Sequence, residues 1–171
     1  KFTGTAVRYN ADGTVILADT KNINSAITTA VDNTGTLSLE GSSTVTGQVG
    51  ASGASLKEIN AGVAGSTSTF NSNVYASNLN MTGTGTVILN SDLTGNIVAT
   101  GDNQGILTTT GLNKTITGNI GSSTSLDLNT LNIGSDTDAT NYSITTINGN
   151  VFANSTVLNN NGTINSSELI L

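Results

Sequence analysis

The sequence contains no cysteine, histidine, proline or tryptophan. Without cysteine the chain has no disulfide, no thiolate nucleophile and no thiolate metal ligand. Without histidine it lacks the usual general base at neutral pH and the imidazole ligand, which excludes a Ser-His-Asp triad. These absences remove the commonest catalytic centres and direct attention to the surface of the protein.

Charged residues are also scarce, at 9% of the chain, and aromatic residues make up 4%. The net charge is −6, and the five basic residues are scattered along the sequence. Binding to nucleic acid or to anionic lipid requires clustered Lys and Arg, so we expect neither partner. No apolar run is long enough for a membrane-spanning helix, so we expect no direct membrane insertion of this chain. No signal segment opens the sequence, and its first residues indicate a piece cut from a longer protein.

The chain is rich in small polar residues, with 20 Gly, 24 Asn and many Thr and Ser. Its 35% apolar residues recur in a loose repeat, in which a short polar turn precedes one aliphatic residue. The repeat occurs at Thr46-Gly47-Gln48-Val49, Asn71-Ser72-Asn73-Val74, Thr94-Gly95-Asn96-Ile97, Thr117-Gly118-Asn119-Ile120 and Asn148-Gly149-Asn150-Val151. From Val49 the aliphatic position advances in steps of 25, 23, 23 and 31, and a step of 22 separates Ile27 from Val49. Such a period is typical of a solenoid, whose repeats bury their apolar residues only by stacking.

A second series has a compatible spacing. Gly13-Thr14-Val15-Ile16-Leu17 matches Gly35-Thr36-Leu37-Ser38-Leu39, then Gly85-Thr86-Val87-Ile88-Leu89 and then Gly162-Thr163-Ile164, with steps of 22, 50 and 77. Short alternating strands indicate inward residues at Leu37 and Leu39, Val87 and Leu89, Leu126 and Leu128, Leu131 and Ile133, and Ile144 and Ile147. Corners at Gly, Asn, Asp and Ser separate these strands, including one predicted at Asn129-Thr130. Two segments, Ala54 to Ile59 and Lys21 to Val31, also allow a short helical turn.

These patterns predict a single all-β domain over residues 1–171, a right-handed parallel β-helix (β-solenoid) of about seven coils of roughly 22–25 residues. The long step between Ile120 and Val151 predicts a loop insertion near 134–141. A leucine-rich repeat is the rival solenoid, because Leu126 to Leu131 faintly follows its spacing, but no helical half follows.

The densest acidic residues are Asp127 and the pair Asp136 and Asp138. The pair could hold a hard cation together with Asn141, and a glycosidase would need two such carboxylates across one bond. We interpret them as solvated loop residues. We therefore predict no catalytic, metal-binding or cofactor-binding residue, no cofactor and no enzyme activity, and the binding residues stay unassigned. Thr-x-Thr pairs begin at Thr34, Thr67, Thr84 and Thr115, with steps of 33, 17 and 31. Because these steps hold no single register, we expect that the pairs do not form a flat, ice-binding Thr array on one face.

Several phrases resemble repeats in rickettsial surface cell antigens, which are outer-membrane autotransporters. They are Gly41-Ser-Ser-Thr-Val-Thr-Gly-Gln-Val-Gly50, Glu58-Ile-Asn-Ala-Gly-Val-Ala-Gly-Ser-Thr67 and Thr117-Gly-Asn-Ile-Gly121, and the likeness spans most of 41–134. The resemblance implies a passenger region on the bacterial cell surface, outside the outer membrane. It implies adhesion to host cells or entry into them, and it supplies no catalytic residue.

The sequence therefore favours a non-catalytic adhesin or invasion passenger fragment, with a host-cell surface protein or glycan as its partner. One alternative is a structural β-helical stalk that displays another domain. A second is a surface protein that associates with itself, and a third is a carbohydrate-active β-helix enzyme.

Overall fold

The computed structural model describes residues 4–123, 125–134, 143–159 and 162–171. It is a parallel β-solenoid of about eight turns, and the described residues contain no helix. Each full turn visits three sides, which we number in chain order. Both segments that allowed a helical turn are extended, since Leu56–Ala61 forms one strand and Asn22–Ile23 and Ala26–Thr29 form two others.

The described residues form sixteen strands of two to fifteen residues. They are β1 Ala6–Tyr9, β2 Thr14–Leu17, β3 Asn22–Ile23, β4 Ala26–Thr29, β5 Thr36–Leu39, β6 Ser43–Val45, β7 Leu56–Ala61, β8 Thr67–Phe70, β9 Val74–Met81, β10 Thr86–Leu89, β11 Leu93–Ala99, β12 Ile106–Thr109, β13 Lys114–Thr117, β14 Leu128–Ile133, β15 Ile144–Leu158 and β16 Thr163–Ile170. Strands β9, β11 and β16 continue from side 1 to side 2, and β15 runs along all three sides.

Stacked columns of inward side chains form the core, and each side contributes one long column beside further buried residues such as Leu39, Met81 and Leu107. Column 1 is Val7, Ile27, Val49, Val74, Leu93, Ile116, Ile147 and Ser166. Column 2 is Val15, Leu37, Ile59, Leu79, Ile97, Ile120, Val151 and Leu169. Column 3 is Ile23, Val45, Phe70, Leu89, Thr109, Ile133 and Leu158. The last members of columns 2 and 3, Leu169 and Leu158, are exposed. Each fully buried aliphatic side chain in these columns contributes roughly 1.5–3 kcal/mol by leaving water.

The predicted solenoid is confirmed, and its individual turns vary more in length than the predicted repeat. Along column 2 the two shortest turns, from Leu79 to Ile97 and from Val151 to Leu169, are equal in length, and the longest runs from Ile120 to Val151. Turns differ in length because some have tight corners and others carry loops. The first repeat series, which runs from Val49 to Val151, also passes from one column to another. Val74 stacks on Leu93 in column 1, and Ile97 stacks on Leu79 in column 2, so the step from Val74 to Ile97 joins two different sides.

The second series also mixes the three sides. Its first two members pair on side 2, where Val15 lies beside Leu37. The segment at Val87 lies on side 3, and the one at Ile164 lies on side 1. The three sides all need the same inward and outward alternation, so similar phrases recur on different sides.

Two assignments of inward residues need correction. Leu126 is exposed in a turn, and Leu128, Leu131 and Ile133 are buried along the continuous strand β14. Ile144 is half-buried, whereas Thr145 is fully buried and shares a hydrogen bond of 2.7 Å with the hydroxyl of Thr109. Two buried hydroxyl groups can form a hydrogen bond with each other, so a threonine can occupy an inward position. The sequence pattern had instead predicted the neighbouring isoleucine to face inward.

The long turn between Ile120 and Val151 is confirmed. Within this turn the structure describes residues up to Gly134 and again from Ser143. These two residues lie close together, since a Cβ built on Gly134 would be 3.5 Å from the Ser143 Cβ. Most of the loop predicted near 134–141 lies outside the described residues.

Candidate binding surface on side 2

The acidic residues at the corners bind the backbone of a neighbouring turn. Asp127 is one of the three acidic residues singled out in the sequence. Its Oδ1 accepts the N–H of Asn103 at 2.8 Å. Four further aspartates accept a backbone N–H in the same way, namely Asp12 from Gly35 (3.1 Å), Asp19 from Ser42 (2.7 Å), Asp32 from Ser55 (2.7 Å) and Asp92 from Thr115 (2.9 Å). These carboxylates therefore brace successive turns, each at its own corner.

The other predicted acidic residues, Asp136 and Asp138, lie outside the described residues with Asn141. In the ranges that the structure describes, no group of three or more acidic residues is placed to hold a metal ion. The described part of the chain also contains no helix of the length and apolar character needed to cross a membrane.

The one ion pair in the described ranges joins Lys57 Nζ to Asp12 Oδ2 at 3.3 Å on the surface. The pKa of Asp12 is lowered, first because its carboxylate accepts the Gly35 N–H and then because Lys57 lies beside it. The contacts of Asp12 with Gly35 and Lys57 link the first three turns, and they depend on pH because they involve the Asp12 carboxylate.

The outer surface of side 2 carries a continuous row of asparagines. Asn78 pairs with Asn96 across adjacent strands, and Asn119 and Asn150 follow on the next two turns. We call these four residues the Asn row. Beside it, Asn60 and Asn80 form a second pair, in which Asn80 Nδ2 donates to Asn60 Oδ1 at 2.9 Å. Six amide side chains thus share one outer surface.

Backbone contacts fix how two members of the Asn row are oriented. Asn96 Oδ1 accepts the N–H of Asn119 at 3.0 Å, and Asn119 Oδ1 accepts the N–H of Asn150 at 2.9 Å. Only the amide oxygen can accept from an N–H group, so both Nδ2 groups point away from these contacts. Both residues are exposed, and the row therefore offers oriented hydrogen-bond donors to solvent.

Tight corners between sides 1 and 2 hold the Asn row in register. Gly95 and Gly118 precede Asn96 and Asn119, and each glycine lies directly against the backbone of the previous turn. A Cβ on Gly95 would be 1.7 Å from the Ala76 oxygen, and one on Gly118 would be 2.2 Å from the Gly95 oxygen. In these two Gly-Asn phrases the glycine permits the close approach of the corner to the previous turn. The asparagine amide oxygen accepts a hydrogen bond from the backbone of the next turn.

The sequence pattern identified this phrase as a repeat, but no binding residue was predicted from it. It also grouped the phrase with Thr46 to Val49 and Asn71 to Val74, which form the corner between sides 3 and 1. The dipeptide Gly-Asn occurs only in the later turns. It distinguishes the corner between sides 1 and 2 from the corner between sides 3 and 1.

The Thr-x-Thr pairs do not share one face, as predicted. Thr36 lies on side 2, Thr117 on side 1, and Thr67 and Thr86 on side 3. Thr67 and Thr86 are nevertheless direct neighbours on adjacent strands.

The comparisons with known proteins identify no relative. No protein-family model, no curated protein and no solved structure matches this chain.

Proposed function

We propose that the chain is a non-catalytic, adhesive passenger segment of an outer-membrane autotransporter, displayed on the bacterial cell surface. Its partner would be a host-cell surface protein or glycan, bound through side 2. The observation that carries the proposal is the Asn row, whose oriented amide donors recur from turn to turn. The phrases that resemble rickettsial surface antigens support the proposed location.

Amide donors suit a ligand rich in neutral acceptors. Glycan hydroxyls and backbone carbonyls both accept hydrogen bonds, and neither requires a charged partner. A single neutral hydrogen bond contributes only about 0.5–1.5 kcal/mol net. Useful affinity therefore needs several contacts at once, which a row that repeats at about 4.8 Å can supply to an extended ligand.

The tight corners lower the cost of binding. Asn96 and Asn119 are already held by backbone bonds to the next turn. Less side-chain freedom is lost when such groups meet a ligand, and preorganisation of this kind raises affinity.

The test is the attachment of coated beads to cultured mammalian cells. Native protein should mediate attachment that soluble native protein competes. The double variant Asn96→Asp with Asn119→Asp keeps the oxygen that accepts each backbone N–H but removes both donors and adds two negative charges. We expect it to stay folded by circular dichroism and to lose most attachment.

The matched control is Asn22→Asp on side 3. Asn22 Oδ1 accepts the N–H of Thr44 at 2.9 Å, so this change preserves the same kind of brace on a different surface. Attachment by the control should equal that of the native protein. Equal attachment by native and double variant would place the adhesive surface elsewhere and overturn the role of side 2.

A structural stalk is the second candidate, and the corner bonds favour it. Side-chain to backbone contacts between neighbouring turns occur from Asp12 near one end to Asn119 near the other. Such bracing would stiffen a rod that holds another domain away from the membrane. A folded native protein that attaches to no cell would support this role and contradict the adhesive one.

A further inference from the structure

The outer surface of side 3 is a neutral array of two columns, which we call the Thr/Ile array. One column is Thr67, Thr86, Ile106, Thr130 and Ser155. The other is Thr44, Thr69, Ile88, Thr108, Asn132 and Val157. Neither column contains a charged or aromatic residue, and nine of the eleven side chains are β-branched. All the acidic and basic side chains of the described turns lie outside these two columns.

The array is rigid and repeats in two directions. Adjacent strands are about 4.8 Å apart, and alternate residues of one strand are about 6.6 Å apart. β-Branched side chains have few χ1 conformations, so methyl and hydroxyl groups hold fixed positions. The pairing from Thr67 through Ser155 proceeds without a break in register within these columns.

Several hydroxyl groups of the array are available to a ligand. Over the residues that the structure describes, the hydroxyls of Thr44, Thr69 and Thr86 form no hydrogen bond to protein, although the backbone N–H groups of Thr44 and Thr86 do. Thr108 Oγ1 accepts only a long contact of 3.4 Å from Asn132 Nδ2. These hydroxyls can therefore both donate to and accept from water, while the methyl groups beside them favour a dry contact.

The size and chemistry of the array exclude most other partners. Six strands at the spacing above, each about 10 Å wide across the array, give roughly 300 Å² per copy. A stable protein interface needs about 800 Å² from each partner. Phosphate polymers need Lys or Arg, and ring-stacking ligands need aromatic side chains, so neither suits this surface.

We propose that the Thr/Ile array binds the surface of an ice crystal. Crystalline water is a neutral ligand that repeats in two dimensions on the scale of the array, and both donors and acceptors recur in it. Ordered waters held by the hydroxyls would join the lattice, and the methyl groups would occupy the spaces between them. Adsorbed protein would then hinder growth of that crystal face. Ice binding is independent of the adhesive role, because it uses another side of the solenoid.

The test is the thermal hysteresis of the purified chain and the shape of ice crystals grown in its presence. Thr69→Lys places a long charged side chain in the middle of the array and should abolish both hysteresis and crystal shaping. The matched control is Thr94→Lys, which alters an exposed, outward threonine on side 1 at mid-rod. This control should retain the native hysteresis. Melting curves followed by circular dichroism establish that both variants remain folded.

Three outcomes would overturn the proposal. They are native protein with neither hysteresis nor shaping, native behaviour of Thr69→Lys, and an equal loss of activity in both variants. A concentration-dependent dimer in sedimentation, dissolved by Thr69→Lys and without ice activity, would instead identify a second copy as the occupant and contradict ice binding.

Discussion

At the scale of single residues, Ile120 lies inside column 2 and has no exposed surface. It stacks between Ile97 and Val151, the residues of the turns before and after it. Ile120→Asp would place an unpaired carboxylate among aliphatic side chains. We expect the free energy of unfolding to fall by more than about 3 kcal/mol, from the lost burial and the buried charge.

The measurement for Ile120→Asp is chemical denaturation followed by circular dichroism. Thr117→Asp is its control, since the side chain of Thr117, in the strand just before, is outward and exposed. That control should unfold close to the native midpoint. Native-like stability of Ile120→Asp would mean that Ile120 points outward and that the register is wrong.

Asp12 gives a prediction on pH. Its folded-state pKa lies below the ordinary value because the Gly35 N–H and then Lys57 stabilise the carboxylate. Such a group contributes stability above its unfolded pKa, about 3.9, and that contribution is lost as pH falls through the lower folded pKa. The variant Asp12→Asn keeps an oxygen for the Gly35 N–H but loses the charge.

Native protein should therefore unfold at a higher denaturant concentration than Asp12→Asn at pH 6. The difference should shrink as the pH falls below the unfolded pKa of about 3.9 and vanish once Asp12 is protonated in the folded protein as well. The difference should also shrink at high salt, which screens the exposed ion pair with Lys57. A difference that stays constant from neutral to acid pH would show that the charge of Asp12 contributes nothing.

At the scale of the strands and corners, sequence patterns predicted which residues face inward more reliably than which side they occupy. Val49, Val74, Ile97, Ile120 and Val151 are all buried, as the repeat predicted. The repeat could not show that Val74 and Ile97 stand in different columns, because each side imposes the same alternation. The Asn row was hidden for the same reason, since its register depends on turns of unequal length between Leu79 and Val151.

The corner glycines provide the prediction at this scale. In Gly118→Ala the new methyl would overlap the Gly95 oxygen, and the φ of +147° is one that alanine rarely adopts. The strand must shift to relieve the overlap, and we expect a loss of roughly 1–3 kcal/mol in unfolding free energy. Because the corner also positions Asn119, cell attachment should weaken together with stability.

Gly13→Ala is the matched control for the corner glycine. No atom lies within 4 Å of a Cβ built on Gly13, and its φ is not positive. Its denaturation midpoint should stay at the native value or rise slightly, since alanine reduces the freedom of the unfolded chain. Equal midpoints for Gly118→Ala and Gly13→Ala would refute the close stacking of the corners.

At the scale of the whole molecule, a single architecture presents two different outer surfaces. Side 2 carries amides braced by the next turn, and side 3 carries methyl and hydroxyl groups without charge. The composition is rich in small polar residues, and the period predicted a solenoid. Neither could separate the surfaces, because tripeptides such as Thr67-Ser68-Thr69 and Thr86-Val87-Ile88 become neighbours only after the intervening turn has closed.

Both proposals depend on columns that remain in register along the solenoid. The most direct test is the distance between spin labels on Thr44→Cys and Val157→Cys, in a chain that has no other cysteine. These residues are far apart in sequence but separated by only five strand steps on side 3. Stacked columns predict one narrow distribution centred near the sum of five steps, about 24 Å between backbones, widened by the label arms. A broad distribution, or a single one far from that value, would contradict the stacked columns and with them both binding surfaces.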